Sequence, residues 1–419
     1  MRARWGVAIL IVAPFLSQKS FAAEAPTDIQ LSLEDALLRA EASSPLVRRA
    51  HRAREVVTAL RTGAGLLFPS NPAAFLALGN RRDSSPSVPP SDGFEWGVHL
   101  EQTVEVAGQR STRLAEVARA IQVAESRERL ARAETRARVR TVYLATLIAD
   151  AHVESARRRE ELANRVLSSA RARIQAGAAS DVEIHLAEVE QGRVTHERME
   201  AELAAADAVN ELRRLLDIPT PILIKLTSPL AEPILPATAV EQLIEEAKAR
   251  REELCALAST RSQLDAAIVR LHREIVPSPT FFLEVQRAQP GQIYLGAGLG
   301  LPLPFWRHNQ GEVAVVRAEQ SRAEEEIALV QHEIAVEVSR LYRSSFARRD
   351  EAKLWHERIV PAAEANVELV NQGWRAGKFD LFRVVQVARE AGEARRKELE
   401  VLGSLWASVI ELERAVGIQ

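Results

Sequence analysis

Cysteine is all but missing from this sequence. Cys255 is the single one among 419 residues, so neither a disulfide framework nor a thiolate metal cage can form within one chain. Its place in a helical pattern predicts a buried structural thiol. An excess of one charge is missing as well: 55 Lys+Arg stand against 57 Asp+Glu. That balance argues against the basic surface of a nucleic-acid binder. Beyond the N-terminal segment, no run approaches the roughly eighteen apolar residues of a membrane-spanning helix. No grouping for catalysis stands out. His185 and His196 lie on one helical run, eleven residues apart, too far to ligate one metal, and no Gly-rich phosphate loop occurs. The sequence predicts no enzyme, no metal site and no bound cofactor.

What the chain does contain is itself, twice. Ala176-Gly177 reappears as Ala376-Gly377, an offset of 200. At the same offset Glu190 meets Glu390, Gly192 meets Gly392, and Glu211-Leu212 meets Glu411-Leu412. Tyr143 and Tyr342 stand at an offset of 199, which suggests a shared packing role. A duplication this long makes each half a partial building block. The expected organisation is a signal peptide over 1–22, a first repeat over 23–218, a Pro-rich linker over 219–239, and a second repeat over 240–419.

The N-terminus reads as a secretory signal. Arg2 and Arg4 give the positive end, Trp5 to Leu16 the short apolar stretch, and Ser20-Phe21-Ala22 the small residues before cleavage. No cysteine follows the apolar stretch, so a lipid anchor is not expected.

Each repeat then follows one plan. Leu33 to about Leu66 has helical spacing, with Ser32 or Thr27 as cap. Pro69 and Pro72 break it. Ala73 to Gly79 reads as a strand, and a Pro/Ser-rich loop leads to a second strand from Phe94 to about Val106. There Trp96, Val98 and Leu100 alternate with Glu95, Gly97, His99 and Glu101, a clean period of two. Ser111 to Gln175 holds no proline and predicts one helix about 100 Å long at 1.5 Å per residue. Gly177 ends it, and Ser180 caps a helix to about Leu216. The second half repeats this: a helix from Val240 to Ile275, strands Thr280–Val285 and Gln292–Leu303 around Gln289-Pro290-Gly291, and a long helix Gly311–Arg375 perturbed at Pro361. Gly377 breaks that helix, and Asp380 caps a last one to Val416. Two short helices end to end match one long one, which suggests a cylinder wall rather than a compact bundle.

Four strands with one apolar face admit two readings. They could be half-buried hairpins of a soluble protein. They could instead be part of a membrane barrel, with the apolar face toward lipid and Glu95, His99, Glu101 and Glu284 toward water. Four strands cannot close a barrel, so that reading needs several chains. The signal peptide and the long polar helices favour the barrel. A secreted coiled-coil scaffold or adaptor is the alternative; it explains the helices but not the matched strands.

Two junctions carry a family resemblance. These are Leu100-Glu101-Gln102-Thr103-Val104-Glu105-Val106-Ala107-Gly108-Gln109-Arg110 and Leu301-Pro302-Leu303-Pro304-Phe305-Trp306-Arg307-His308-Asn309-Gln310-Gly311. With the hairpin Gly373-Trp374-Arg375-Ala376-Gly377-Lys378-Phe379-Asp380, they resemble the TolC-family outer membrane efflux proteins over the whole mature chain. The wording at both junctions is more similar to the heavy-metal, CzcC-like branch than to the drug branch. The resemblance implies a mainly α fold with a small β part. It implies a homotrimer whose chains each give four strands to a twelve-stranded barrel in outer membrane lipid, above a helical periplasmic tunnel. It implies a periplasmic membrane-fusion adaptor and an inner-membrane pump, of RND type, as partners.

The same resemblance places the tunnel aperture at the helical tips, around the turns at Gly177 and Gly377. Glu183 and Arg383 occupy equivalent positions just beyond those turns, joined by Gln386, Asp181 and Asp380. The family often carries acids in the second hairpin; Arg383 and Gln386 depart from that. Glu183 and Arg383 are expected to pair and hold the tunnel shut. Asp181 and Asp380 also suit turn and cap roles.

Overall fold

The structure is a computed structural model and describes residues 28–82, 92–175, 180–289 and 292–418. The expected signal peptide, the Gly177 turn and the Pro290-Gly291 turn lie outside those residues.

The first half runs β1 (Ile29–Leu31), α1 (Leu33–Ser43), α2 (Pro45–Ala64), β2 (Ala73–Arg82), β3 (Asp92–Thr103), α3 (Gln109–Gln175), α4 (Asp181–Leu215) and β4 (Ile224–Leu226). The second runs α5 (Val240–Arg250), α6 (Glu252–Arg273), β5 (Thr280–Gln289), β6 (Gln292–Gly300), α7 (Gln310–Leu354), a π turn (Trp355–Ile359), α8 (Val360–Arg375) and α9 (Leu381–Val416). The chain is mostly helix with a small sheet part.

The first helix of each half is two helices, not one. Ser32 opens α1 with a capping box shared with Asp35. The chain then breaks at Ser44, whose ψ is 131°. Pro45 forces this, because it clashes with an α-conformation at the residue before it and then serves as the first residue of α2. In the second half the break falls at Arg251, ψ 119°. Both breaks come after an 11-residue helix.

The unbroken α3 has 67 residues. Its partner in the second half is interrupted by the π turn just ahead of Pro361, which has no N–H to give the helix. A π turn is an α-helix with one residue inserted. The sequence shows that residue. Val139/Val338 and Tyr143/Tyr342 stand 199 apart, whereas Gly192/Gly392 and Leu212/Leu412 stand 200 apart.

Strands β2, β3, β5 and β6 form one antiparallel sheet in that order. The strands stop sooner than the alternation suggests: β3 ends at Thr103 rather than Val106, and β6 at Gly300 rather than Leu303. Beyond Gly300 the prolines 302 and 304 leave no amide for a ladder. The linker contributes β4, which pairs in parallel with β1, Ile29 opposite Ile224.

Apolar residues gather in separate clusters along the helices. Tyr143 stands in one, with Leu31, Val139, Leu212 and Leu216. Its hydroxyl donates to the Leu31 carbonyl at 2.8 Å and accepts from the Ser228 amide at 3.3 Å. It thereby ties β1 and the linker to α3. Tyr342 packs beside the equivalent cluster of Ile334, Val338, Leu341 and Leu412, with its ring on Phe346. The packing role is shared; the hydroxyl's task is not. α2 and α4 both lie along α3, and α6 and α9 of the second half pack on it as well. Cys255 is exposed, contrary to expectation. Leu254 faces inward on α6, and one residue further round a helix is a rotation of about 100°.

Candidate functional site: a two-faced sheet and the helical tips

The sheet presents two chemically distinct faces. The register sets Leu76 beside Val98, Val98 beside Val285, and Val285 beside Leu295. This apolar face is largely exposed, with Leu76, Leu78, Leu100, Leu283, Leu295 and Leu299 all open. The opposite face carries Glu95, His99, Glu101, Glu284 and the glycines 97, 296, 298 and 300. The His99 ring stacks on Phe282 at 5.1 Å and tilts against Phe75 at 5.7 Å. Its nitrogens reach Glu101 at 3.3 Å and Glu284 at 3.9 Å. Glycine is required beneath these rings: a Cβ at Gly298 would fall 2.2 Å from Phe282 Cζ, and one at Gly296 would fall 2.7 Å from Tyr294 Cε1. An apolar face in the open and a polar face drawn together is the reverse of a water-soluble sheet. It is the arrangement of a membrane barrel wall.

The tips lie at the far end of the long helices. α8 closes on Gly377, at φ +72°. There the Gly377 amide donates to the Trp374 carbonyl and the Lys378 amide to the Gly373 carbonyl, at 2.9 and 2.8 Å. This paired ending needs a left-handed residue. The Phe379 ring folds back over Gly373, where a Cβ would meet it at 2.3 Å. Asp380 caps α9, accepting from the Arg383 amide at 2.9 Å. Ser180 stands at the start of α4, but its side chain makes no capping bond. Asp181 is exposed in the first turn of α4, and Gln386 donates to Glu390 at 3.3 Å.

Glu183 and Arg383 do not meet within the chain. The Arg383 guanidinium lies over the Phe379 ring at 5.7 Å. Glu183 Oε2 is buried with no hydrogen-bond partner. Other residues join the hairpins. Arg173, near the end of α3, sets its guanidinium 5.2 Å from the Trp374 ring and donates to the Trp374 carbonyl at 2.9 Å. Trp374 itself is buried with Ala170, Ala187, Leu381, Val384 and Val385. Deeper in, Arg389 pairs with Glu190. Burial pushes the Glu190 carboxyl up, but the Arg193 and Arg389 guanidiniums outweigh it and hold it below the usual range. Sequence reasoning missed both links. The signal lay where the copies differ: Val189 faces Arg389 in the repeat, beside the shared Glu190/Glu390.

Among the described residues, no group of three or more His, Cys, Asp or Glu is placed to hold a metal ion. No described helix is long and apolar enough to cross a membrane.

The family model described as "Outer membrane efflux protein" matches residues 67–217 and 243–418. The chain belongs to the outer membrane efflux protein family. Among its relatives is the cobalt-zinc-cadmium resistance protein CzcC of Cupriavidus metallidurans, 25% identical over 318 residues, 75% of each chain. The fold is similar to that of CusC, with a TM-score of 0.74 at 12% identity over 95% of this chain and 96% of that one. It is also similar to the Campylobacter jejuni channel CmeC, with a TM-score of 0.73 at 13% identity, covering 99% and 94%. Members of this family are outer membrane efflux channels, and this chain shares the protomer fold of the solved ones.

Proposed function

We propose that three copies of this chain form a tunnel that passes cargo out of the cell without chemistry of its own. Their four-stranded sheets close a twelve-stranded barrel in the outer membrane, and their helices line a periplasmic conduit. The observation that carries this reading is the two-faced sheet. Its apolar face is exposed, and among the described residues the outer edges of β2 and β6 have no strand beside them. Open edges are not tolerated in lipid, so the sheet must be completed by other copies. Residues 1–22 act as the export signal.

Cargo reaches the tunnel from an inner-membrane pump of RND type through a periplasmic adaptor. The named resistance of the Cupriavidus metallidurans relative makes cobalt, zinc and cadmium the first cargo to test. The aperture is assigned to Glu183, Arg383, Gln386, Asp181 and Asp380, around the turns at Gly177 and Gly377. Since Glu183 and Arg383 do not meet in one chain, their pairing belongs between neighbouring copies. One exposed pair contributes only about 0.2–1 kcal/mol, but a ring of them biases the tips toward closure.

Fractionation and a resistance assay test this. The protein should require detergent for release and run as a trimer. Its deletion should sensitise cells to at least one of the three metals. A monomer free in periplasmic extract would leave the scaffold reading instead. In lipid bilayers, Arg383→Glu should raise the conductance several-fold; unchanged closure removes the ion-pair gate.

A further inference from the structure

The two helical hairpins do not close completely where they meet. Beside the Trp374 cluster lies a partly enclosed cavity of about 50 Å³. Leu162, Ala163 and Val166 of α3 and Val194 of α4 form one side, and Val384 and Ala388 of α9 form the other. Its walls therefore come from both hairpins. These side chains offer water nothing to bind, and a cavity of that kind suits an apolar group. The volume is well below the roughly 150 Å³ that takes up benzene, so the group is a short alkyl chain rather than a ring.

One end of the cavity is polar. Arg159 of α3 reaches over Gly392 of α9, where a Cβ would meet its Cδ at 2.9 Å. Its Nη1 donates to Glu197 at 2.6 Å, which fixes the guanidinium. Its Nε is buried and has no hydrogen-bond partner among the described residues. The other polar groups of the lining are engaged. Glu190 accepts from Arg193 through both oxygens, at 2.5 and 3.0 Å, and from Arg389 at 2.8 Å. Arg193 also pairs with Glu197. A buried donor left unpaired is costly, so the Arg159 Nε–H calls for an acceptor oxygen.

Electrostatics select the kind of acceptor. Arg159 and Arg193 also border a wider groove lined from α3, α4 and α9, which gives a way in. Across cavity and groove together, four arginines (Arg159, Arg193, Arg389 and Arg396) stand against four glutamates. His152, in the same groove, is pushed toward its neutral form by burial. A carboxylate would find no unmatched cation there and would lose its hydration. A neutral carbonyl or hydroxyl oxygen accepts the same hydrogen bond without that loss.

We infer that this cavity binds a small neutral molecule with a short alkyl body and one acceptor oxygen, a short-chain ketone or alcohol. The alkyl part lies between α3, α4 and α9, and the oxygen accepts from Arg159 Nε. Such a molecule touches both hairpins at once and finds its full site only while they are docked, so it holds them together. The site stands independently of the channel reading. Its consequence, that the occupant keeps the tips shut, rests on that reading.

Hydrogen exchange in the purified, detergent-solubilised full chain tests the site, with butanone and butyrate as probes. Butanone should slow exchange over residues 162–166 and 384–388 in a saturable way, and butyrate at the same concentration should not. Arg159→Lys keeps a cation beside Glu197 but lacks the Nε–H. It should raise the butanone concentration needed for half the effect about tenfold. Ala163→Leu fills the cavity and should abolish the effect. Ala388→Val, a smaller intrusion from the facing helix, should weaken it and guards against an Ala163→Leu chain that fails to fold. Slowing that does not saturate, that survives in both filled variants, or that butyrate matches overturns the site. In lipid bilayers butanone should lower the conductance of the wild type and leave that of Ala388→Val less affected. Binding without a change in conductance overturns the hold on the tips and keeps the site. A protein that conducts nothing removes the channel reading, while the exchange result still decides the site.

Discussion

Arg389 of α9 reaches across to Glu190 of α4 at 2.7 Å, and it is the deeper of the two links that hold the hairpin tips together. Glu190 is buried and also binds Arg193 at 2.5 Å. Arg389→Ala removes one of its two cations. A hydrogen bond to a charged group is worth about 1.5–3 kcal/mol, and the remaining Arg193 places the loss at the low end. The expected outcome is a tip that opens more often, read as raised conductance. Arg389→Lys should restore part of the closure.

That pair also sets an acid limit. The Glu190 carboxyl titrates below its ordinary value, so the unfolded chain takes up its proton first as the pH falls. Its contribution is full above about pH 4.3, the ordinary Glu value, and disappears as pH drops through the lower folded value. Hairpin docking should be flat from pH 7 to about 5 and weaken below 4. Hydrogen exchange at the tips measures it, and Glu190→Gln should flatten the acid limb.

His152 acts in the opposite window. Burial lowers its proton affinity, as do Arg396 and Arg159, against a smaller opposing pull from Glu400. The folded chain therefore gives up the proton that the unfolded chain keeps below about pH 6.5. Stability should fall as pH drops from 7 through 6, by at most about 1.4 kcal/mol per pH unit, the limit for one proton. Denaturant melts at several pH values should show that slope, and His152→Gln should lose it.

Gly373 cannot carry a side chain while Phe379 covers it. Gly373→Ala drives a methyl into the ring, and overpacking of this kind costs about 1–3 kcal/mol. A lowered Tm is expected, with recovery when Phe379→Leu is added. Gly192→Ala, which meets open space in one chain, should leave the folding of the protomer unchanged and instead weaken its assembly.

Deleting Arg358 should be tolerated. It removes one residue from the π turn and returns the arm to a plain helix, whose faces keep their phase. Deleting Arg348 in α7 shifts every later residue by about 100° and should abolish delivery to the outer membrane. Quantitative immunoblots of membrane fractions distinguish the two.

Features set by local chemistry were the most legible in the sequence. The proline-free run up to Gln175 is the helix α3, and Asp380 caps α9 through the Arg383 amide. The alternation around Trp96 marks both faces of the sheet. The break at Ser44 carries a written signal in Pro45, outweighed there by the helical spacing on either side. The break at Arg251 carries none, since neither proline nor glycine adjoins it. The β1–β4 pair joins three residues to three across almost half the chain, and no local pattern encodes a partner so far away. At the tips, the turns were legible and the contacts were not. Equivalent positions just beyond the two turns drew attention to Glu183 and Arg383, but hairpins of one chain meet through Arg173, Trp374, Glu190 and Arg389. Of those four, only Glu190 has the same residue in the other copy.

The π turn has a consequence for how such a duplicated chain can change. Absorbed into a regular helix, its extra residue would swing everything below it by about 100°, carrying Trp374 away from Arg173. Held as a loose coil of five residues, it works as a slip joint. The upper arm can gain or lose a residue while the lower end keeps its heading. The two arms of the wall are thereby free to drift in length, and their tips still come to rest in phase.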